Sequence, residues 1–216
     1  MPSRLPAVGL AIACVVPVLA GVYRGTTILL EWDWKFNFSP EHVDRLPILV
    51  HVVASAAFYL LGTLQVLPGF RSRHPLWHRK AGKATWVAGL LGALSATWLS
   101  SLHTEISGPI LLWGRLVFGP LWALFLVLGL LSMIRRDFVR HGEWMVRAFA
   151  VAMPAGTLIF IAAPFYLVLG ELPTTLDESI QACAWIVHLG IAEILIRRWR
   201  RTRYRLENRQ ALVARE

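Results

Sequence analysis

The chain has 216 residues, of which 56% are hydrophobic and only 16% are charged, and its mean hydropathy is +0.54. A soluble domain of this length carries about 45–50% apolar and about 25% charged residues, so the composition excludes that class and predicts a membrane protein. A net charge of +9 is an excess that nucleic-acid-binding proteins also carry. Here the basic residues fall in short segments between apolar runs, which membrane topology explains, and we predict no nucleic-acid partner.

Six apolar stretches predict transmembrane helices in a single domain that covers residues 1–216. A hydrocarbon core of ~30 Å requires about 20 helical residues, and each stretch approaches or exceeds that length. Backbone amides in lipid must bond within their own segment, which favours helices. We therefore predict an all-α bundle of six helices followed by a basic tail over residues 197–216. The predicted spans are Ala7–Tyr23, Leu46–Phe70, Ala84–Leu102, Pro109–Ile134, Met145–Gly170 and Ser179–Ile196.

The distribution of lysine and arginine predicts the orientation of the chain. Of the 22 basic residues, Arg71–Lys83 holds five, Arg135–Arg147 holds four, and the tail from Arg197 onward holds eight. Cytoplasmic loops carry such an excess, so we predict that these segments and both chain ends lie in the cytoplasm. An even number of spans agrees with two ends on one side. The predicted location is the inner membrane of a bacterium.

The longest predicted connection, Arg24–Arg45, combines aromatic and charged residues on the outer side of the membrane. Trp32 and Trp34 lie within it, and tryptophan favours the boundary between lipid and water. We interpret the segment as a strip in the headgroup region, and the alternative is a docking surface for a partner. Arg115, in the outer part of the fourth span, either snorkels outward, pairs with a carboxylate or binds a polar ligand. Trp32, Trp34 and Arg115 are thus predicted contacts with lipid or a partner.

Four of the seven histidines are candidate ligands, because polar side chains in a membrane are costly and usually face the bundle. His51 and His188 lie within the second and sixth spans, and His78 and His141 lie at the cytoplasmic edge. A b-type haem needs two imidazoles that face one iron, so His51 with His188 and His78 with His141 are the candidate haem-binding pairs. The alternative is that His51 and His188 form hydrogen bonds across the bundle, while His78 and His141 bind loop carbonyls or lipid phosphates.

The fifth and sixth spans carry charged and proline residues that predict local structure. Arg147 and Glu193 lie at the inner helix ends, where they predict an ion pair that locks the two spans together. Pro154 and Pro164 fall within the fifth span and predict a kink, because proline removes a backbone hydrogen bond. Broken helices line the binding sites of transporters, which makes a small-molecule transporter one alternative function.

The motifs of catalysis are missing from this sequence. It has no P-loop and no H-E-x-x-H motif, and Cys14 and Cys183 lie inside apolar runs that predict neither a disulfide nor a metal site. We therefore predict no catalytic residue. The leading interpretation is an accessory or structural subunit that packs against lipid and other membrane proteins of a larger complex. The second is an electron carrier with b-type haem, or a quinone-binding protein, and the third is a transporter.

Three short elements beside the spans are distinctive. They read H-R-K-A-G from His78, R-H-G-E-W-M-V-R from Arg140, and W-I-V-H-L-G-I-A-E from Trp185. The first two resemble the H-R-x-x-G and H-R-x-W-M-x-R elements of an uncharacterised bacterial family of predicted multi-pass membrane proteins. Gly142 stands where that family usually has arginine, and His188 where it usually has asparagine. The resemblance covers about residues 46–198, and it implies a helical bundle without implying a reaction.

Overall fold

The structure is a computed structural model, and the residues it describes form helices and short turns without a strand. It describes residues 14–19, 21–23, 25–26, 30, 45–67, 69–102, 108–170 and 172–213. From Arg45 onward we number the helices in chain order. They are α1 (Arg45–Val66), α2 (Phe70–Arg73), α3 (Pro75–Leu102), α4 (Pro109–Ile134), α5 (Phe138–Ala152), α6 (Pro154–Leu169) and α7 (Thr174–Val213).

Four of these helices, α1, α3, α4 and α7, are long and apolar enough to cross a membrane. Helices α5 and α6 make a fifth span if the bent pair is counted as one. Of the first predicted span, Ala7–Tyr23, residues 7–13 and 20 lie outside the described residues, and the rest falls in the shorter apolar helix Cys14–Tyr23. The all-helical membrane fold is confirmed, and the described part of the chain contains four or five of the six predicted spans.

The basic segment between the second and third predicted spans is helical. After the short helix α2, α3 begins at Pro75, well before the predicted start at Ala84. Proline suits the first position of a helix, because the amide it lacks would have no partner there. The basic side chains of the first turns, Arg79, Lys80 and Lys83, are exposed. Helix α3 therefore continues beyond the apolar run, and hydropathy reports only its lipid-embedded part.

The fifth predicted span is broken at Met153, where Pro154 begins a new helix. The axes of Phe138–Ala152 and Gly156–Ala162 differ by 57°. Pro154 removes a backbone donor and its ring clashes with the preceding turn, so the predicted kink has this cause. The Tyr59 hydroxyl donates a hydrogen bond to the Ala152 carbonyl oxygen at the break. A polar side chain of α1 thus satisfies a carbonyl that lipid would leave without a donor.

The core of the bundle lies where α1, α3, α4 and α5 meet, and aromatic rings fill it. The Phe58 ring packs edge-on against Trp122 with centroids 5.1 Å apart and lies 5.6 Å from the Phe149 ring. Gly89 of α3 lies directly against this group. A Cβ atom added there would lie 2.7 Å from Phe58 Cδ2 and 2.9 Å from Leu126 Cδ1. Only glycine leaves room for both side chains at this crossing.

We expect Gly89→Ala to lower the free energy of unfolding by about 1–3 kcal/mol, as overpacking of a filled core does. Phe58 and Leu126 are only 2% and 1% exposed, so neither can move aside. Gly190→Ala is the matched control, because a Cβ there meets nothing within 4 Å. Thermal unfolding of both variants in the same detergent measures the difference. Equal melting temperatures would contradict the packing described here.

Candidate functional site

Two bidentate ion pairs join helix α5 to helix α7 at one edge of the membrane. Arg147 Nε donates to Glu193 Oε1 at 2.5 Å, and a second guanidinium N–H donates to Oε2 at 3.0 Å. Arg200 Nε donates to Glu143 Oε1 at 2.5 Å, and a terminal N–H of the same guanidinium donates to Glu143 Oε2. Paired N–H···O bonds of this kind fix orientation as well as distance. We call these four residues the α5–α7 clamp.

The spacing of the clamp residues explains how two pairs form at once. Glu143 and Arg147 are four residues apart, so they lie on one face of α5. Glu193 and Arg200 are seven residues apart, two helical turns, so they also share a face of α7. Each helix contributes one acid and one base, and the antiparallel helices place opposite charges together. The clamp therefore fixes both the rotation and the register of α7 against α5.

The two pairs differ in how far they are removed from solvent. The Glu143 side chain is 3% exposed, whereas that of Arg200 is 58% exposed. In the other pair the Arg147 side chain is 16% exposed and the Glu193 side chain is 39% exposed. The Arg147 guanidinium also lies 4.6 Å from the centre of the Trp144 ring. A carboxylate as buried as Glu143 depends on its partner, because burying an unpaired charge is costly.

His51 and His188, the candidate haem pair within the spans, bind different parts of the bundle. His51 Nδ1 donates to the Gly92 carbonyl oxygen of α3 at 3.1 Å and lies 3.2 Å from Ser95 Oγ. His188 Nδ1 donates to the Ala184 carbonyl oxygen at 2.6 Å, and its Nε2 lies 2.9 Å from Thr157 Oγ1. Both ring nitrogens of His188 are thus engaged by protein. The hydrogen bonds hold the two imidazoles to separate neighbours.

His78 and His141, the candidate haem pair at the predicted cytoplasmic edge, are arranged differently. His141 Nδ1 donates to the Gly129 carbonyl oxygen of α4 at 2.9 Å. His78 lies within electrostatic range of His141 and of Arg71. Its Nδ1 is buried, and no described residue supplies a hydrogen-bond partner for it. His78 and His141 are therefore close enough to influence each other electrostatically.

Glu178, a buried carboxylate near Arg115, is a further residue that the sequence does not single out, beside Glu143 and Arg200 of the clamp. Glu178 is 4% exposed and accepts a hydrogen bond of 3.2 Å from the Ile110 backbone amide at the start of α4. Gly108 makes room for it, since a Cβ there would overlap the Glu178 carboxylate. The carboxylate suits the positive end of the α4 dipole. Glu178 and His51 both lie within electrostatic range of Arg115.

Comparison with known proteins identifies the family of this chain. The family described as "Predicted membrane protein (DUF2306)" matches residues 48–196. The chain belongs to this family. The resemblance inferred from the sequence elements is thereby confirmed at the level of the family. No curated protein and no solved structure was found to match the chain.

Membership of the DUF2306 family agrees with a helical bundle embedded in lipid, and the matched region contains most of the clamp. Glu143, Arg147 and Glu193 fall inside residues 48–196, whereas Arg200 lies beyond them. Trp32 and Trp34, the predicted lipid or partner contacts, lie outside the described residues. Within the described residues, no three His, Cys, Asp or Glu side chains are grouped as metal ligands.

We expect Arg200→Ala to lower the melting temperature more than Glu143→Gln does. The first variant leaves a buried carboxylate without its partner, whereas the second leaves an exposed guanidinium that water can solvate. The double variant should recover stability relative to Arg200→Ala alone, because no buried charge remains. Thermal unfolding of the three variants in one detergent measures this order. If Glu143→Gln were the more destabilising single change, the clamp would not work through burial of Glu143.

Proposed function

We propose that this DUF2306 protein is an accessory component of the bacterial inner membrane that packs against another membrane protein. The observation that carries the proposal is the length of helix α7, which has 40 residues. At ~1.5 Å per residue such a helix is about 60 Å long, twice the ~30 Å of the hydrocarbon core. Helix α7 therefore extends well beyond the membrane, and every described side chain from Arg197 to Arg205 is exposed.

Four of the six exposed arginines between Arg197 and Arg205 lie on one side of the helix. Arg197, Arg198, Arg201 and Arg205 fall within about 100° of one another on a helix with ~100° per residue. We call these four residues the α7 basic stripe. Most of the stability of a helix comes from tertiary packing, so a helix that projects from the bundle gains from a partner that covers it. Arginine is well suited to such contacts because its planar fork binds carboxylates bidentately.

The direction of the extension favours a protein over a lipid surface. Helix α7 is unbroken from Thr174 to Val213, so the basic stripe continues along the axis of the span. A helix that lies on the bilayer instead runs in the plane of the headgroups. The clamp bond between Arg200 and Glu143 holds the base of the extension to α5. These features support a partner with an acidic surface that projects from the membrane on the same side.

A photo-crosslinking residue placed at Arg201 in native membranes should give a discrete protein adduct, because Arg201 lies within the stripe. The same residue at Trp199, about 160° around the helix, is the control and should give little or none. Charge reversal at Arg197, Arg198 and Arg205 should abolish the adduct if acidic groups of the partner hold it. Adducts of equal strength at Arg201 and Trp199, or adducts with lipid alone, would overturn the proposal.

A second candidate function, electron transfer through b-type haem, is supported by the bonding of His141. A metal-bound imidazole commonly donates its other ring N–H to a backbone carbonyl, which orients the ring. The bond from His141 Nδ1 to the Gly129 carbonyl oxygen has this form and leaves Nε2 for an iron. His78 is the natural second ligand, since it lies within electrostatic range of His141. This candidate thus uses His78 and His141 rather than His51 and His188.

An absorption spectrum of the purified protein, oxidised and then reduced with dithionite, tests the haem candidate. The expected result is a Soret shift and a sharp α-band that His141→Ala abolishes. His188→Ala is the matched control and should keep the spectrum, because both nitrogens of His188 are engaged by protein. A colourless preparation that takes up no added haem would retire this candidate and leave the packing role untouched.

A further inference from the structure

A groove runs between helices α1 and α3 on a face of the bundle that the described residues leave open. It encloses about 650 Å³, and its lining includes Ala54 and Ala57 from α1 and Ala84 and Ala88 from α3. These small side chains form the floor. Val53 and Val87, which are 59% and 49% exposed, stand at its sides. The groove exists because alanines spaced three or four residues apart share one face of each helix.

The dimensions of the groove match one lipid chain. A second apolar groove of about 360 Å³ continues it and shares Val50 and Leu91 with it. From Lys83 to Leu91 the larger groove covers eight residues of α3, or ~12 Å at ~1.5 Å per residue, and the second groove continues to Trp98, ~22 Å from Lys83. Half of a ~30 Å hydrocarbon core is ~15 Å, the depth of a single leaflet. The larger groove therefore lies within one leaflet, where it can hold an acyl chain that enters from the side of the membrane where α3 begins.

One end of the groove is charged and the rest is apolar. Lys83 is the charged residue in the lining, and it is exposed at the end nearest the start of α3. Lys80 lies one turn nearer that membrane edge on the same side of the helix, and it is exposed as well. A lysine near a helix end extends its ammonium group toward the headgroups while its methylenes stay in lipid. The arrangement complements a molecule with an anionic head and an apolar chain.

We propose that the α1–α3 groove binds one anionic phospholipid, with an acyl chain along the alanine floor and its phosphate at Lys83. Charge at one end favours this occupant over a transmembrane helix, which would cross both leaflets. The bound lipid would cover the exposed apolar walls that α1 and α3 leave open. This inference concerns a different surface from the α7 basic stripe and does not depend on the protein partner proposed above.

Native mass spectrometry of the full chain, titrated with phosphatidylglycerol or phosphatidylcholine of identical chains, tests the proposal. The expected result is one tightly bound phosphatidylglycerol and weaker phosphatidylcholine binding. Lys83→Gln should lower the affinity for phosphatidylglycerol roughly fivefold, which corresponds to the loss of one lysine near a membrane surface. Ala84→Leu should weaken the binding of both lipids, because the larger side chain fills the floor.

Arg135→Gln is the matched control, since it removes one exposed positive charge at the same membrane edge but outside the groove. It should leave lipid binding unchanged. Equal affinities of the unmodified protein for the two lipids would overturn the proposal. Equal losses in Lys83→Gln and Arg135→Gln would do the same, because they would indicate diffuse attraction to surface charge. Melting temperatures measured without added lipid verify that all variants are folded.

Discussion

The structure depends on one constraint, which is that polar groups inside the hydrocarbon must find partners within the protein. Tyr59 meets this need at the break before Pro154, where it binds the Ala152 carbonyl. Trp86 Nε1 donates to the Leu126 carbonyl oxygen at 2.9 Å and so ties α3 to α4. His51 ties α1 to α3 in the same way. A helix rotated or shifted by one residue would lose such bonds, so they define the register of the bundle.

The bundle also requires close packing between helices, and small residues allow it. Lipid tails are as apolar as leucine, so helices in a membrane associate through close contact rather than through expulsion of water. Gly89 leaves room for the Phe58 ring and Leu126 at the centre of the bundle, and Gly62 lies against the Phe149 ring. The alanines of the α1–α3 groove are equally small, but the described residues leave their surface open. The same composition therefore gives a filled core on one side and an open groove on the other.

Some contacts of this chain follow from its sequence and others do not, and particular residues show why. The apolar run Pro109–Ile134 coincides with helix α4, because both of its ends are polar or turn-forming. The pairing of Arg147 with Glu193 could be inferred since both lie at the ends of adjacent spans. The bond between Glu143 and Arg200 could not, since the partners are 57 residues apart and Arg200 lies in a tail that composition describes only as basic. Likewise, Glu178 carried no sequence signal as a helix cap.

The sequence by itself determined that this is a membrane protein built from helices, because lipid leaves a long apolar backbone almost no other way to satisfy its amides. It also located the break of the fifth span at Pro154 and the segments rich in lysine and arginine between the spans. Only the tertiary structure decided which polar side chains meet. Whether His141 reaches the Gly129 carbonyl or Glu143 faces Arg200 depends on the rotation and tilt of each helix. Those angles arise from packing between helices, and spacing along one chain does not contain them.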